Sequence, residues 1–479
     1  MVWNAIQLIG NKGIFLIRML ILARLLFPED FGLFAIATSA TGFLLSITNV
    51  GLIPALVQSQ DVSEKKYAAA WTFDMTRSTI IASLTIIFAP LIANIFAEPL
   101  AVPIIQVLAL RPVFESMISI KVTAFNRNLS FRPLTYLRIA DATINTIISI
   151  GLANYIGVWA LVYGALGGTV SMVIISYFLA PYRPRILFNW RAVQPLMNFG
   201  WWVLITSLVS MAGNYGLRIA ISRQLGAEGL GLYFIAVQLA YLPSDFARDL
   251  VGSVAFPLFA RLQKDVFQAT RAFRALFSGL AAILYPVCAL LIVLSPLLTR
   301  YILGPNWAGT GDVIRILTLV VMIGVFGEVA VTVFRGFGQL YRITLLEVIQ
   351  SAVTISFVWV FTSRFGLVGS AMAWLPSILL SQLLSIYFIQ NILDRPFEGL
   401  QKPLLAIFAA TGLCIVVSMT AIQLIPGLLG LIIATALGFG FTAGLLWIAD
   451  LRYSLGFGRN LALVFPQVTT MFGFSSNRS

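Results

Sequence analysis

The chain contains no histidine and only two cysteines among 479 residues, and charged side chains make up just 10% of it. Without histidine, imidazole metal sites, Ser-His-Asp triads and histidine proton relays are excluded. Cys288 and Cys414 both fall inside long apolar stretches, so neither a disulfide framework nor a thiolate cluster is indicated. Soluble domains carry roughly 25% charged residues. A chain this poor in charge has no segment left over for a soluble catalytic domain, and nothing in it calls for a metal or a cofactor.

What is present is apolar length: 59% of the residues are hydrophobic. At roughly 20 apolar residues per crossing, the chain accommodates about fourteen membrane spans with short turns between them. They are expected at 3–26, 33–57, 68–97, 101–123, 133–154, 157–180, 195–221, 229–258, 271–297, 311–335, 341–363, 367–391, 402–424 and 427–449. Breaks fall at turn chemistry such as Pro28-Glu29-Asp30, Glu98-Pro99 and Gly304-Pro305-Asn306. Runs this long satisfy their backbone hydrogen bonds as helices, whereas a barrel would need alternating segments of about ten residues. The fold class is therefore an all-α polytopic membrane protein. The first span has Lys12 and Arg18 inside it and no charged lead, which argues against a cleaved signal peptide.

Positive charge sets the orientation. Even-numbered loops and their flanks hold residues such as Lys65, Lys66, Arg132, Arg185, Lys264, Arg274, Arg342 and Lys402, and the tail adds Arg452, Arg459 and Arg478. Odd-numbered loops hold few, among them Arg24, Arg223, Arg300, Arg315 and Arg364. Both termini are expected in the cytoplasm. A formal net charge of +13 then reflects topology and contact with anionic lipid headgroups, with no nucleic-acid partner implied.

An internal repeat divides the chain. Residues Ala23 to Ala37 align without gaps on Ser222 to Ala236, with identities at Arg24/Arg223, Leu26/Leu225, Glu29/Glu228, Gly32/Gly231, Leu33/Leu232, Ile36/Ile235 and Ala37/Ala236. Six spans separate the copies, so both begin on the same face, which is a parallel repeat about an axis along the membrane normal. The expected domains are 1–192 (first six-helix lobe), 193–391 (second lobe), 392–450 (an extra helix pair) and 451–479 (a cytoplasmic tail).

Charged residues persist within spans mainly where they meet a cavity or a partner, since insertion costs at least about 2.5–3.5 kcal/mol each at the centre. In the first span Asn4, Gln7, Asn11 and Arg18 share one face, with Lys12 on its flank; in the seventh Ser207, Ser210, Asn214 and Arg218 do the same. The substrate-facing candidates are Asn11, Lys12, Arg18, Ser210, Asn214 and Arg218, against the alternative that the two arginines snorkel to headgroups. Asp74 with Arg77, Arg111 with Glu115, and Asp245 with Arg248 and Asp249 lie three or four residues apart and read either as structural pairs or as gating and coupling charges. Glu328 is expected to pair with Arg335 or Arg342, and Asp141 with Arg138.

The junction Ile21-Leu22-Ala23-Arg24-Leu25-Leu26-Phe27-Pro28-Glu29-Asp30-Phe31-Gly32-Leu33, the stretch Asn126-Arg127-Asn128-Leu129-Ser130-Phe131-Arg132, Gly157-Val158-Trp159-Ala160-Leu161-Val162 and Phe256-Pro257-Leu258-Phe259-Ala260-Arg261 resemble the polysaccharide-transporter, Wzx-like branch of the multidrug/oligosaccharidyl-lipid/polysaccharide (MOP) exporter superfamily. The chain departs from it in starting almost at its first span, without a short basic lead. The resemblance implies a MATE-like fold of two lobes and an inner-membrane flippase, not an enzyme, that carries a polyprenyl-pyrophosphate-linked oligosaccharide outward for O-antigen, capsule or exopolysaccharide synthesis. It also implies a polysaccharide polymerase and a chain-length regulator as partners. Two relatives by function stay open: a multidrug or cation antiporter, which would favour an acidic cavity, and a lipid II-type flippase.

Overall fold

The computed structural model describes residues 2–48, 56, 63–128, 130–187, 201–425 and 427–453. Among these, the regular secondary structure is helical throughout. The chain forms two compact units, Met1–Phe234 and Ile235–Ser479.

The first unit begins with α1 (Val2–Leu25) and α2 (Pro28–Ile47). Pro28 occupies the first helical position of α2, where its missing N–H costs nothing, and Asp30 accepts a hydrogen bond from the Phe27 N–H at 3.0 Å. Helix α3 (Glu64–Ile95) is capped by Ser63, which accepts from the Lys66 N–H at 3.4 Å. The span expected at 101–123 is broken into α4 (Ala101–Leu108), α5 (Arg111–Ser116) and α6 (Thr123–Arg127), with a bend of 64° between 101–116 and 120–127. Pro112 explains the first break, because it has no N–H to give the Leu108 carbonyl four residues earlier. Helices α7 (Phe131–Ile156) and α8 (Val158–Leu179) follow, joined at Gly157, whose φ of 55° favours glycine. Gly164 and Gly168 of α8 face Asn145, Ser149 and Asp141 of α7, so small residues bring the two helices close. Helix α1 packs on α7, and α2 on α3, α4 and α8.

Helix α9 (Trp201–Arg261) runs from the first unit into the second and breaks at Gly226, where φ is 68° and ψ is −174°. The break falls in the gap between the spans expected at 195–221 and 229–258. Beside the kink the repeat becomes physical. A Cβ on Gly32 of α2 would overlap the Ala227 carbonyl oxygen of α9, and a Cβ on Gly231 of α9 would overlap the Pro28 carbonyl oxygen. Applying the repeat offset turns one contact into the other. The two repeat copies cross backbone to backbone, which demands glycine at both positions.

The second unit contains the remainder of α9 with α10 (Val266–Leu297), α11 (Thr310–Gly336), α12 (Leu340–Met372), α13 (Trp374–Gln390), α14 (Gln401–Leu424) and α15 (Leu428–Tyr453). Asp265 caps α10 by accepting from the Gln268 N–H at 2.9 Å. Its core is aromatic: Phe273 and Phe277 of α10 meet Phe326 of α11 edge-on, with centroids 5.9 and 5.5 Å apart, and Phe259 is fully buried beside Gly336. Helix α12 breaks at Gly366, with φ 57°, and its last turn leads into α13.

Among the described residues nine helices, or ten if the bent pair counts as one span, are long and apolar enough to cross a membrane. The exact number fourteen does not follow from that measure. Polar side chains dilute α1, α13 has only 17 residues, and the stretch Met211–Asp245 of α9 counts once although the helix breaks within it at Gly226. Apart from 451–453, the expected tail lies outside the described residues.

Candidate functional site

In the first unit, α1, α5 and α7 bring charges together that the sequence keeps far apart. Arg18 of α1, Arg111 of α5 and Arg138 of α7 all act electrostatically on Asp141 of α7, and Arg18 in turn feels Arg111. Arg18 is half-buried, with its guanidinium 5.3 Å from the centre of the Phe15 ring. Arg111 and Glu115 form an ion pair at 3.0 Å, each more than a third exposed. Three guanidinium groups thus face two carboxylates, an excess of positive charge inside a span region. Asp141 belongs to this wider group, and its pairing is not confined to Arg138 one turn away. Asn11, one face-repeat before Arg18 on α1, has a buried side-chain oxygen without a hydrogen-bond partner among the described residues. Lys12 on the flank is half-buried.

Arg218 of α9 is held differently. Its Nη1 donates to the Ser39 Oγ of α2 at 2.7 Å, and its guanidinium lies 6.0 Å from the Tyr215 ring centre. Tyr215 packs edge-on against Phe43 of α2 and closes over Gly42. A cation tied to one hydroxyl and one aromatic ring keeps, among the described residues, most of its five donors for another acceptor. Asn214 is exposed one turn earlier. The side chains of Ser210 and Asp249, with those of Asn4 and Ser207, lie outside the described residues.

The remaining charges form two sets. Asp74 and Arg77 of α3 pair at 2.8 Å, and Arg77 also donates to Thr48 Oγ1 at 3.2 Å, which ties α3 to the end of α2. In the second unit Arg248 of α9 meets Glu328 of α11 through two hydrogen bonds, 2.6 and 3.3 Å, and Asp245 at 3.4 Å. This corrects the expectation for Glu328, which does not turn to Arg335 or Arg342. Arg342 instead donates to the Phe388 carbonyl at 2.8 Å and stacks on the Phe388 and Tyr341 rings. Glu328 sits two turns inside α11, beyond comfortable reach of the helix end, and that depth was the available clue.

Long apolar helices with cations among them define a multi-pass helical membrane protein. The chain is similar in fold to the lipid II flippase MurJ in an inward closed conformation, with a TM-score of 0.75 and 16% identity over 94% of this chain and 99% of that one. It is also similar to an inward-facing multidrug resistance MATE transporter of the MOP superfamily, with a TM-score of 0.61 and 16% identity over 80% of this chain and 94% of that one. The chain belongs to the family described as "Polysaccharide biosynthesis protein", which matches residues 21–312.

Among its relatives are the succinoglycan biosynthesis transport protein ExoT of Rhizobium meliloti, 24% identical over 66% of this chain, and the lipopolysaccharide biosynthesis protein WzxC of Escherichia coli, 22% identical over 68%. The matches span 64% and 66% of those two proteins. The teichuronic acid biosynthesis protein TuaB of Bacillus subtilis is 23% identical over 78% of each chain.

Proposed function

We propose that this protein is a flippase for a polyprenyl-pyrophosphate-linked oligosaccharide in the assembly of a surface polysaccharide. The observation that carries the reading is the convergence of Arg18, Arg111 and Arg138 around Asp141 in the first unit. Guanidinium groups suit a pyrophosphate because each offers paired, charge-assisted donors, and Asn11 adds an amide for a hydroxyl. Lys12, Ser210, Asn214 and Arg218 are the further substrate-binding candidates of the first unit; Asp74, Arg77, Arg111 and Glu115 of the first unit and Asp245, Arg248 and Asp249 of the second act as structural or gating charges within their own units. The polyprenyl tail stays in lipid while the lobes alternate access to the head.

The setting is the bacterial inner membrane with both termini in the cytoplasm, and the partners are membrane lipids, a polymerase and a chain-length regulator. The lobes comprise 1–192 and 193–391, with 392–450 as an added helix pair. A lipid II-type flippase is the second reading, favoured by the MurJ-like fold. A carrier of cationic drugs fits less well, because the excess charge around Asp141 has the wrong sign. The deciding test is transport in proteoliposomes: protein-dependent movement of labelled lipid-linked oligosaccharide supports the proposal, and dye efflux with unmoved precursor overturns it. Movement of lipid II alone would favour the second reading.

A further inference from the structure

One seam of α7 carries polar side chains where packing alone would accept apolar ones. Asp141, Asn145 and Ser149 follow one another at intervals of four residues, so they share a face and lie about 6 Å apart along the helix axis. That face meets α8 at its glycines. A Cβ on Gly168 would crowd the Asp141 carboxylate, and one on Gly164 would crowd the Ser149 hydroxyl and the Asn145 amide oxygen. Asp141 is the carboxylate around which Arg18, Arg111 and Arg138 gather. Charge therefore falls away along α7, from the arginine cluster through a neutral amide to a neutral hydroxyl.

Asn145 is anchored at one end and open at the other. Its Oδ1 accepts from the Ser149 Oγ at 3.1 Å, while its Nδ2 hydrogens meet no acceptor among the described residues. Ser149 is 1% exposed, so the anchor is shielded from water, and Asn145 is half-buried, so the amide stays within reach of a ligand. An amide N–H pair left open within a membrane span is costly, and polar groups persist there where they meet a cavity or a partner.

We propose that Asn145 is the contact for the first sugar of the lipid-linked glycan, beside the arginines that hold its pyrophosphate. The proposal rests on the flippase reading above and divides the labour within that site. Pyrophosphate oxygens carry charge and only accept hydrogen bonds, which suits guanidinium groups; sugar hydroxyls are neutral and both donate and accept, which suits an anchored amide. One turn of α7 separates Asp141 from Asn145, so the two chemistries stand side by side, as they do in the substrate.

The test is a paired titration of the full-length protein in lipid nanodiscs, with undecaprenyl pyrophosphate and with the same lipid carrying its oligosaccharide, extracted from the cells that make it. The parent should bind the glycosylated lipid more tightly than the bare one. Asn145→Ala should weaken binding of the glycosylated lipid by roughly 3- to 10-fold, the loss of one neutral hydrogen bond, and leave the bare lipid unchanged. Arg18→Gln should weaken both. An equal loss for both lipids in Asn145→Ala overturns the proposal, because a packing role would not tell them apart, and so does no loss for either. Asn145→Ser, which offers Ser149 an acceptor without the amide N–H pair, serves in the same comparison where the alanine variant does not fold. A parent that binds neither lipid removes the flippase reading itself, whereas a parent that binds both with equal affinity leaves that reading standing and removes only the sugar contact.

Discussion

Replacing Arg18 with glutamine tests the proposed pyrophosphate site most directly. Arg18 shares Asp141 with Arg111 and Arg138, so its removal leaves that carboxylate with two cationic neighbours. The folded protein should therefore survive, with a melting temperature in detergent close to that of the parent. The cost should appear in binding. A hydrogen bond to a charged group contributes about 1.5–3 kcal/mol, and each 1.4 kcal/mol is tenfold, so affinity for undecaprenyl pyrophosphate should fall roughly 10- to 150-fold. Binding would be measured by titration of protein in nanodiscs, with transport measured in proteoliposomes at matched protein content. Arg18→Lys should recover part of the loss, because it restores charge without the planar fork. Arg315→Gln is the control, since Arg315 is an exposed residue at the start of α11 that pairs with Asp312 at 3.0 Å. Unchanged binding and transport by Arg18→Gln, with the fold intact, would refute the assignment and leave Arg18 as a headgroup contact.

Asp141→Asn should have the opposite sign, tightening undecaprenyl pyrophosphate binding several-fold by removing the competing carboxylate, and weaker binding in the same titration would contradict the cluster's role. For Arg248 and Glu328, whose side chains are 52% and 41% exposed, a double-mutant cycle on thermal stability should give a coupling of about 0.2–1 kcal/mol, the range of a solvated pair; several kcal/mol would place the pair away from water. Gly32→Ala should destabilise the protein by about 1–3 kcal/mol, because the new methyl meets backbone, whereas Gly412→Ala on α14, with open space around it, should be neutral or slightly stabilising; equal melting temperatures for the two variants would deny the crossing. Single cysteines at the exposed positions Lys65, Arg132, Arg185, Lys264 and Lys402 should resist an impermeant thiol reagent in intact cells while those at the exposed positions Asn154, Asn306 and Arg364 react, and the reverse pattern would invert the orientation.

Local pattern determined most of the architecture. Apolar runs of about 20 residues specify membrane helices through a requirement each stretch meets alone, the satisfaction of its own backbone groups. Proline and glycine then mark where helices start or bend, as at Pro28, Gly157 and Gly366. The intrahelical pairs Asp74–Arg77 and Arg111–Glu115 were legible for the same reason, since spacing of three or four residues on a helix fixes proximity. The bend after Ser116 was not, because an apolar stretch of the right length looks the same whether straight or broken.

Relations between helices had to await the tertiary structure. Nothing in the order of residues ties Glu328 to Arg248, eighty positions away, or gathers Arg18, Arg111 and Arg138 around Asp141. Those contacts depend on which faces of α1, α5, α7, α9 and α11 turn toward one another, and packing sets that rotation. The repeat shows both sides of the division. Aligned glycines at 32 and 231 could be read from the sequence, but only the fold laid each against the backbone of the other copy, where a side chain has no room.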